Sequence, residues 1–528
     1  MAKKDEKKVS LEAGLWNACN KLRGSVSATD YVNVVLGLLF LRFAYDKFNV
    51  QREKLLGNED TKDFADSPRF YSKDNVFYLD ETDRWDYLKN HSKQTNILSL
   101  IDDAFKNIEK NNTSLKGALP IGFYLTLHIE ASKFSSLIDE INKIEYSTDE
   151  SDDVIGRVYE YFLKNFCIKA KDEKGEFYTP GNLVELMTML IQPYSGKVYD
   201  PCCGSGGMFV QSAKFIKEHK GNTKDITIYG QEYTPKSYQL ARMNLAIRGL
   251  NCDLGDTDAD TFLNDKHKDL RADFILANPP FNQKGWRKED ELTTDRRWDN
   301  DENKHIIPPV SNANYAWILH MLSRLSYNGT GAFLLANGAL GADGDEGKIR
   351  ENLIKNNKIE AIIVLPREMF YYTDISVTLW IIGNHKKEKT VRRNDKDVKL
   401  RNRENEVLFI DARRLGDAGK NEERFVNLTQ EDKELIQKTL FAWQSPEWKN
   451  TYKDIPEFCY SATKEEIAKN GYSLVPSKYI EFIDHDLDID FEKEMARIQK
   501  EMKLLLDDEK QSQKELEEAF RGIGYEIK

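Results

Sequence analysis

The sequence predicts an α/β fold: a doubly wound sheet preceded by an all-helical N-terminal domain and followed by a helical tail. Three observations carry this. From Asp152 to about Ile410, short apolar runs alternate with amphipathic stretches in the order βαβα, the pattern of a sheet with helices on both faces. Upstream, residues 11 to about 150 place apolar side chains at helical spacing with no strand alternation. Downstream, Phe491, Met495, Ile498, Met502 and Leu505 step by four and three, a short coiled-coil-like seam in an acidic tail. The expected domains are 1–150, 151–475 and 476–528, and a chain of 528 residues has room for roughly three.

In the first domain Leu15, Ala18, Cys19 and Leu22 recur on one helical face, and Tyr31 to Phe48 forms a strongly apolar second helix after capping residues Ser27 to Asp30. Ile97 to Ile108 and Leu125 to Ile141 repeat the pattern, with no catalytic constellation among them. A packing or partner-binding role follows. Val154 to Phe166 is one more helix. After the loop Lys174 to Pro180, Thr179 is a plausible N-cap and Pro180 a plausible first residue for a helix over Leu183 to Ile191.

Strands are then expected at Lys197 to Tyr199, Ile226 to Tyr229, Asn251 to Leu254, Phe274 to Ala277, Ala332 to Ala336, Ile359 to Leu365, Val377 to Ile382 and Val407 to Ile410. Helices are expected at Met208 to about His219, Pro235 to Gly249, Tyr315 to Leu325 and Ile349 to Ile354. Residues 385–406 hold nine Lys/Arg and five Asp/Glu and read as a solvated loop.

Composition narrows the class. With 77 basic and 88 acidic residues the net charge is −11, the wrong sign for a protein that grips nucleic acid unaided. Either its basic residues cluster or a partner supplies the grip. Six scattered cysteines give neither a disulfide framework nor zinc spacing, which suits a reducing cytoplasm. The charged N-terminus has no signal-peptide core, and the apolar run Val34 to Leu41 ends at Arg42, short of the ~20 residues a membrane span needs.

Four features fall on four strand ends. Asp200 with Gly204-Ser205-Gly206-Gly207 occupies the first strand-to-helix turn, where glycines let a ligand approach the backbone. Glu232 ends the second strand, placed to accept both hydroxyls of a ribose. Asp258 or Asp260 follows the third and can accept from an adenine amino group. Asn278-Pro279-Pro280-Phe281 ends the fourth, where two prolines stop the ladder. The turn lacks GxGxxG spacing and the Gly-Lys-Ser/Thr of a phosphate loop. Acids without a phosphate-binding base suit a cationic nucleoside, and S-adenosylmethionine fits.

Here the residues resemble a known family. Asp200 to Gly207 is similar to the cofactor motif of class I methyltransferases, which have a Rossmann-like sheet. Asn278 to Phe281 resembles the catalytic motif of adenine amino-methyltransferases, and Glu176-Phe177-Tyr178-Thr179-Pro180 the segment that closes over methionine in the adenine-N6 group. Leu15 to Phe48, Asn314 to Leu322, Leu335 to Leu340 and Gly347 to Arg350 further resemble modification subunits of type I restriction–modification systems.

The resemblance implies that Glu176 to Pro180, Ser205 to Gly207 and Glu232 contact S-adenosylmethionine. It implies that an acid after the third strand, Asp258 or Asp260, contacts the cofactor adenine, and that the Asn-Pro-Pro-Phe motif holds a flipped adenine in double-stranded DNA. It also implies a separate DNA specificity subunit flanked by two copies of this chain, and a motor-nuclease restriction subunit that can join.

Asn278 and the Pro279 carbonyl are expected to accept both N–H bonds of the target amine while Phe281 stacks on its ring. Phe370, Tyr371 and Tyr372 are candidates for the other face. Lys284, Arg287, Lys288, Arg296 and Arg297 read equally as DNA-phosphate contacts or as a solvated loop. Pro201-Cys202 imitates a nucleophile of cytosine methylation but lies in the wrong turn, so Cys202 and Cys203 read as packing residues. The rival readings are a methyltransferase of a protein glutamine amide or RNA base, and a non-catalytic scaffold of a DNA-binding assembly.

Overall fold

A computed structural model describes residues 28–74, 76–143, 160–162, 179–219, 222, 225–299, 305–370, 375–394, 396–417, 425–483 and 491–522. The chain divides into two compact units, Met1–Ile480 and Glu481–Lys528.

In the first unit, helix α1 (Ala28–Leu56) carries the long apolar run. Its buried Val34 to Leu41 pack with α2 (Ile97–Asn111) and α3 (Ala131–Asn142), which present Ile101, Phe105, Phe134 and Ile138 to it. Gly37 is required on α1 because a Cβ there would run into the Tyr124 hydroxyl. That hydroxyl donates to the Val34 carbonyl at 2.7 Å. The same core continues onto the sheet domain through Met243 and Ile247.

The sheet has nine strands in the order β11-β10-β6-β7-β5-β4-β1-β2-β3. They are β1 (Gly196–Asp200), β2 (Ile226–Gly230), β3 (Cys252–Asp253), β4 (Ala272–Ala277), β5 (Leu325–Ala336), β6 (Ile359–Val364), β7 (Val377–Gly383), β10 (Glu406–Asp411) and β11 (Cys459–Thr463). β1 to β5 pair in parallel, β7 is reversed between β5 and β6, and β11 is reversed against β10. Strand residues alternate between two cores: Val198, Leu276 and Leu334 face one, Tyr199, Ile275 and Phe333 the other. The first core is covered by α4 (Gly181–Ile191), α5 (Gly207–Glu218), α6 (Pro235–Ile247) and α9 (Gln430–Gln444). The second is covered by α7 (Asn314–Arg324) and α8 (Gly344–Lys355). The order of strands turns back between β1 and β4, so their carboxyl ends form a topological switch point, the crevice where such sheets bind ligands.

The observed elements depart from the expected ones in several places: α3 begins at Ala131 and not at Leu125, and α9 and β11 match no expected element. Strand β5 runs twelve residues instead of five: Leu325, Thr330 and Gly331 also pair with neighbouring strands, across a register shift opposite Asp273. The charged segment 385–406 is not a solvated loop: it contains a hairpin of β8 (Lys389–Arg393) and β9 (Lys396–Leu400), turned at Asn394 with φ 45°. And α4 begins at Gly181 with Pro180 at the N-cap, so Thr179 does not cap it.

The described residues of the second unit hold one helix, α10 (Phe491–Gly522), which carries all five residues of the apolar seam. Arg497 bridges Glu494 and Glu501 along it. Among the described residues no helix is long and apolar enough to cross a membrane.

Candidate active site

The turn after β1 is built by its glycines. Gly204 and Gly206 take φ of 53° and 80°, the left-handed region that L side chains avoid. Gly206 N–H donates to the Cys203 carbonyl at 2.8 Å, and Gly207 then opens α5. The Asn244 amide of α6 donates to the Ser205 carbonyl at 2.7 Å and ties the turn to that helix. Asp200 is buried, and its Oδ1 accepts from Cys202 N at 3.0 Å. Burial, and the nearby Glu232 charge, push its carboxyl up to about 7.

Glu232 leans across the same turn. Its Oε2 accepts from Gly204 N at 3.0 Å and its Oε1 from Thr234 N and Oγ1 at 3.0 and 3.1 Å. Burial raises its carboxyl above the usual range. Among the described residues, neither Asp200 nor Glu232 has a cation as partner, so the pair makes an electronegative end that favours a positively charged ligand.

The loop after β3 is fixed by Gln231, which is fully buried. Its Nε2 donates to the Ala259 and Asn264 carbonyls at 3.1 and 3.0 Å, and its Oε1 accepts from Lys266 N at 2.9 Å. Asp260 Oδ1 accepts from Phe262 N and Leu263 N, shaping the turn.

After β4, the Asn278 Nδ2 donates to Thr179 Oγ1 at 3.0 Å. Its Oδ1 is buried and has no hydrogen-bond partner among the described residues. A desolvated, unpaired acceptor is costly, and a ligand amino group would satisfy it. Phe281 meets the buried Phe370 edge-on at 5.7 Å.

One cavity of about 680 Å³ joins these groups. Thr179, Asp200, Gly204, Ser205, Gly207, Glu232, Asp260, Asn278 and Pro280 line it. Pro180, Gly206, Pro279 and Phe281 are not on its wall, and neither is Asp258. Glu176, Phe177 and Tyr178 lie outside the described residues, as do Tyr371 and Tyr372. Phe370 braces Phe281 from the core instead of facing the cavity.

Sequence reasoning missed the aromatic wall. Phe262 packs against Trp286 and Trp317 with centroids 4.6 and 4.4 Å apart, and all three line the cavity. They are 24 and 55 positions from Phe262 in the chain, so no local motif signals them. Two basic residues near the motif are framework: Arg287 donates to the Lys288, Glu289, Glu291 and Pro308 carbonyls. Arg297 holds the Thr261 and Phe262 carbonyls, Asp295 and His320. Burial pushes His320 down to about 3, so it is neutral and can accept from Arg297. Burial and the neighbouring Asp200 hold the Cys202 thiol protonated, far from a nucleophilic thiolate.

A reversed-strand doubly wound sheet, with a glycine turn, a buried acid after β2 and Asn278 and Pro280 after β4 on one cavity, defines a Rossmann-like methyltransferase. Comparison with known proteins narrows the class. The N-6 DNA methylase model matches residues 150–487, and the HsdM N-terminal domain model matches residues 11–171. The chain belongs to the N-6 DNA methylase family, whose members depend on S-adenosylmethionine. It is 37% identical to the type I restriction enzyme HindI methylase subunit of Haemophilus influenzae, over 82% of this chain and 94% of that protein. It is 33% identical to the MjaIX methylase subunit of Methanocaldococcus jannaschii, over 97% and 91%. The fold is shared with the methyltransferase subunit of a Streptococcus thermophilus type I restriction–modification system, at TM-score 0.71 and 23% identity over 89% of this chain and 99% of that one.

Proposed function

We infer that this chain is the modification subunit of a type I restriction–modification system. It transfers a methyl group from S-adenosylmethionine to the N6 amino group of an adenine flipped out of double-stranded DNA. The observation that carries this is the shared cavity: the glycine turn, Glu232 and the unpaired Asn278 acceptor open onto one space. The bound cofactor supplies an electrophilic methyl on a cationic sulfur. Asp200 and Glu232 give that end of the cavity negative potential, Glu232 accepts the ribose hydroxyls, and Asp260 accepts from the cofactor adenine. The segment Glu176 to Pro180 and the turn Gly204 to Gly207 contact the methionine portion.

Asn278 Oδ1 and the Pro279 carbonyl accept the two N–H bonds of the target amine. That draws the lone pair out of the ring and aims it at the methyl, a positioning and polarising role. Pro279 and Phe281 lie off the cavity wall in the free chain, so target binding brings them to the base; Phe281 then stacks on it, and the nitrogen gives its proton to water after the N–C bond forms. A net charge of −11 fits an enzyme that meets DNA through others. A specificity subunit reads the sequence between two copies of this chain, a motor-nuclease subunit joins, and the complex works in the cytoplasm. The catalytic domain spans 151–475, between the helical domain 1–150 and the tail 476–528.

The test is co-expression with the specificity subunit, followed by methyl transfer from labelled cofactor to duplex DNA, RNA and protein acceptors. Label appearing as N6-methyladenine in DNA, and only with both subunits present, is the expected result. Transfer to a glutamine amide or to RNA, or none with the partner bound, refutes it.

A further inference from the structure

At the opposite rim of the sheet lies a second cavity, of about 380 Å³, that methyl transfer does not use. Its floor is the amino-terminal part of β4 and β6 with the end of β7, and its walls are the ends of α4 and α9. The β8–β9 hairpin forms its roof. The roof is fastened in place. Gln192 Nε2 donates to Asn394 Oδ1 at 3.0 Å, and Asn394 N returns a bond to Gln192 Oε1 at 3.1 Å. The Arg393 guanidinium sits 3.7 Å from the Phe441 ring centre and donates to Gln444 Oε1.

The charges on this cavity do not balance. Glu360 is buried at its base, and Arg403 Nε donates to it at 2.6 Å. Lys386, also buried, lies beside it and donates to the Ile359 and Glu406 carbonyls. One carboxylate therefore already answers two cations. Among the described residues, Lys389 donates to the Asn328 carbonyl alone, at 3.0 Å, and Arg393 to the Gln444 side chain alone. Neither forms an ion pair with a described carboxylate. Asp273, the other acid on the wall, is occupied by Lys197 N and Ser326 Oγ, and Arg392 pairs outward with Asp397. Burial presses Lys389 down to about 8 and Arg393 to about 9, with Glu360 opposing the shift and the Arg403 charge adding to it. Both side chains are half-buried, and holding a charge partly out of water without a paired carboxylate is costly, a cost that an anionic ligand would offset.

We propose that this cavity binds a small ligand bearing a polyphosphate, with Lys389 and Arg393 gripping the phosphates and Arg403 behind them. A planar guanidinium beside an ammonium suits phosphate oxygens. The volume is that of a small-molecule site, and apolar Leu190, Ile381, Leu400 and Leu440 leave room for a ring. A nucleoside di- or triphosphate and free polyphosphate share this chemistry.

The test is titration calorimetry on the full chain with inorganic tripolyphosphate, adenosine triphosphate, guanosine triphosphate and a short DNA duplex. It is repeated on Lys389→Gln and Arg393→Gln, with thermal melts to show that each variant folds. Tripolyphosphate is expected to bind, and each substitution to weaken it by about tenfold or more without lowering the melting temperature. A nucleoside triphosphate that binds tighter assigns a nucleotide; equal binding assigns free polyphosphate. No heat from any phosphate ligand, binding unchanged in both variants, or heat from the duplex alone overturns the proposal.

Discussion

Asn278→Ala separates the amide proposed to hold the target base from the scaffold around it. In the ligand-free chain the Asn278 Oδ1 is buried without a partner, a cost of about 1–3 kcal/mol. Its Nδ2 recovers about 0.5–1.5 kcal/mol through Thr179. Truncation removes both, so the variant should be no less stable than the parent, within about 1 kcal/mol, by urea unfolding. Activity should move far more. Losing one preorganised partner of developing charge costs about 10²–10³ in kcat, or ~2.7–4 kcal/mol. Glu232 and the glycine turn are untouched, so cofactor affinity should hold. The assay is single-turnover methyl transfer with the specificity subunit bound, beside calorimetric titration of S-adenosylmethionine. Turnover within a few-fold of the parent, or cofactor affinity falling as far as kcat, would refute the assigned role.

Two further outcomes follow from the same cavity. Asp200 holds its proton up to about 7 in the free protein, whereas an unfolded chain loses it near the ordinary aspartate value of 3.8. A pKa raised by folding means that this group's stability is fully present below the unfolded value and is lost as pH rises through about 7. A cationic cofactor favours the carboxylate, so its binding should release a proton below that pH and weaken by at most about tenfold per unit between pH 7 and 6. Calorimetry in buffers of different ionisation enthalpy reads this, and pH-independent binding would contradict it. Gln231→Ala removes the three bonds that fix the loop after β3 and should destabilise the chain by about 2–4 kcal/mol while weakening cofactor binding. An unfolding midpoint that does not move would show the loop is held otherwise.

The strands that build the switch point were legible because they are short apolar runs bounded by glycine, proline or acids, as at Val198-Tyr199 and Phe274 to Ala277. Glu232 and Asn278 were legible for the same reason: a strand end fixes where the next side chain can go. The hairpin over 389–400 was not, because its Lys and Arg residues hide a β alternation that only pairing with its own return strand makes worthwhile. Nor was the Thr179–Asn278 bond, which joins residues 99 positions apart. Thr179 read as a helix cap from its neighbours, and tertiary contact gave it another partner. The aromatic wall of Phe262, Trp286 and Trp317 escaped notice for the same cause.

Helix α6 belongs to two structures at once. Tyr238, Ala241 and Leu245 serve the sheet, Met243 and Ile247 serve the N-terminal helices, and Asn244 holds the Ser205 carbonyl. A severed fragment beginning near residue 150 would leave a greasy scar along that helix, at Met243 and Ile247 on either side of the amide that steadies the glycine turn. The leading third of the polypeptide is thus a splint for the catalytic crevice, and the two should be inherited, expressed and engineered as one piece.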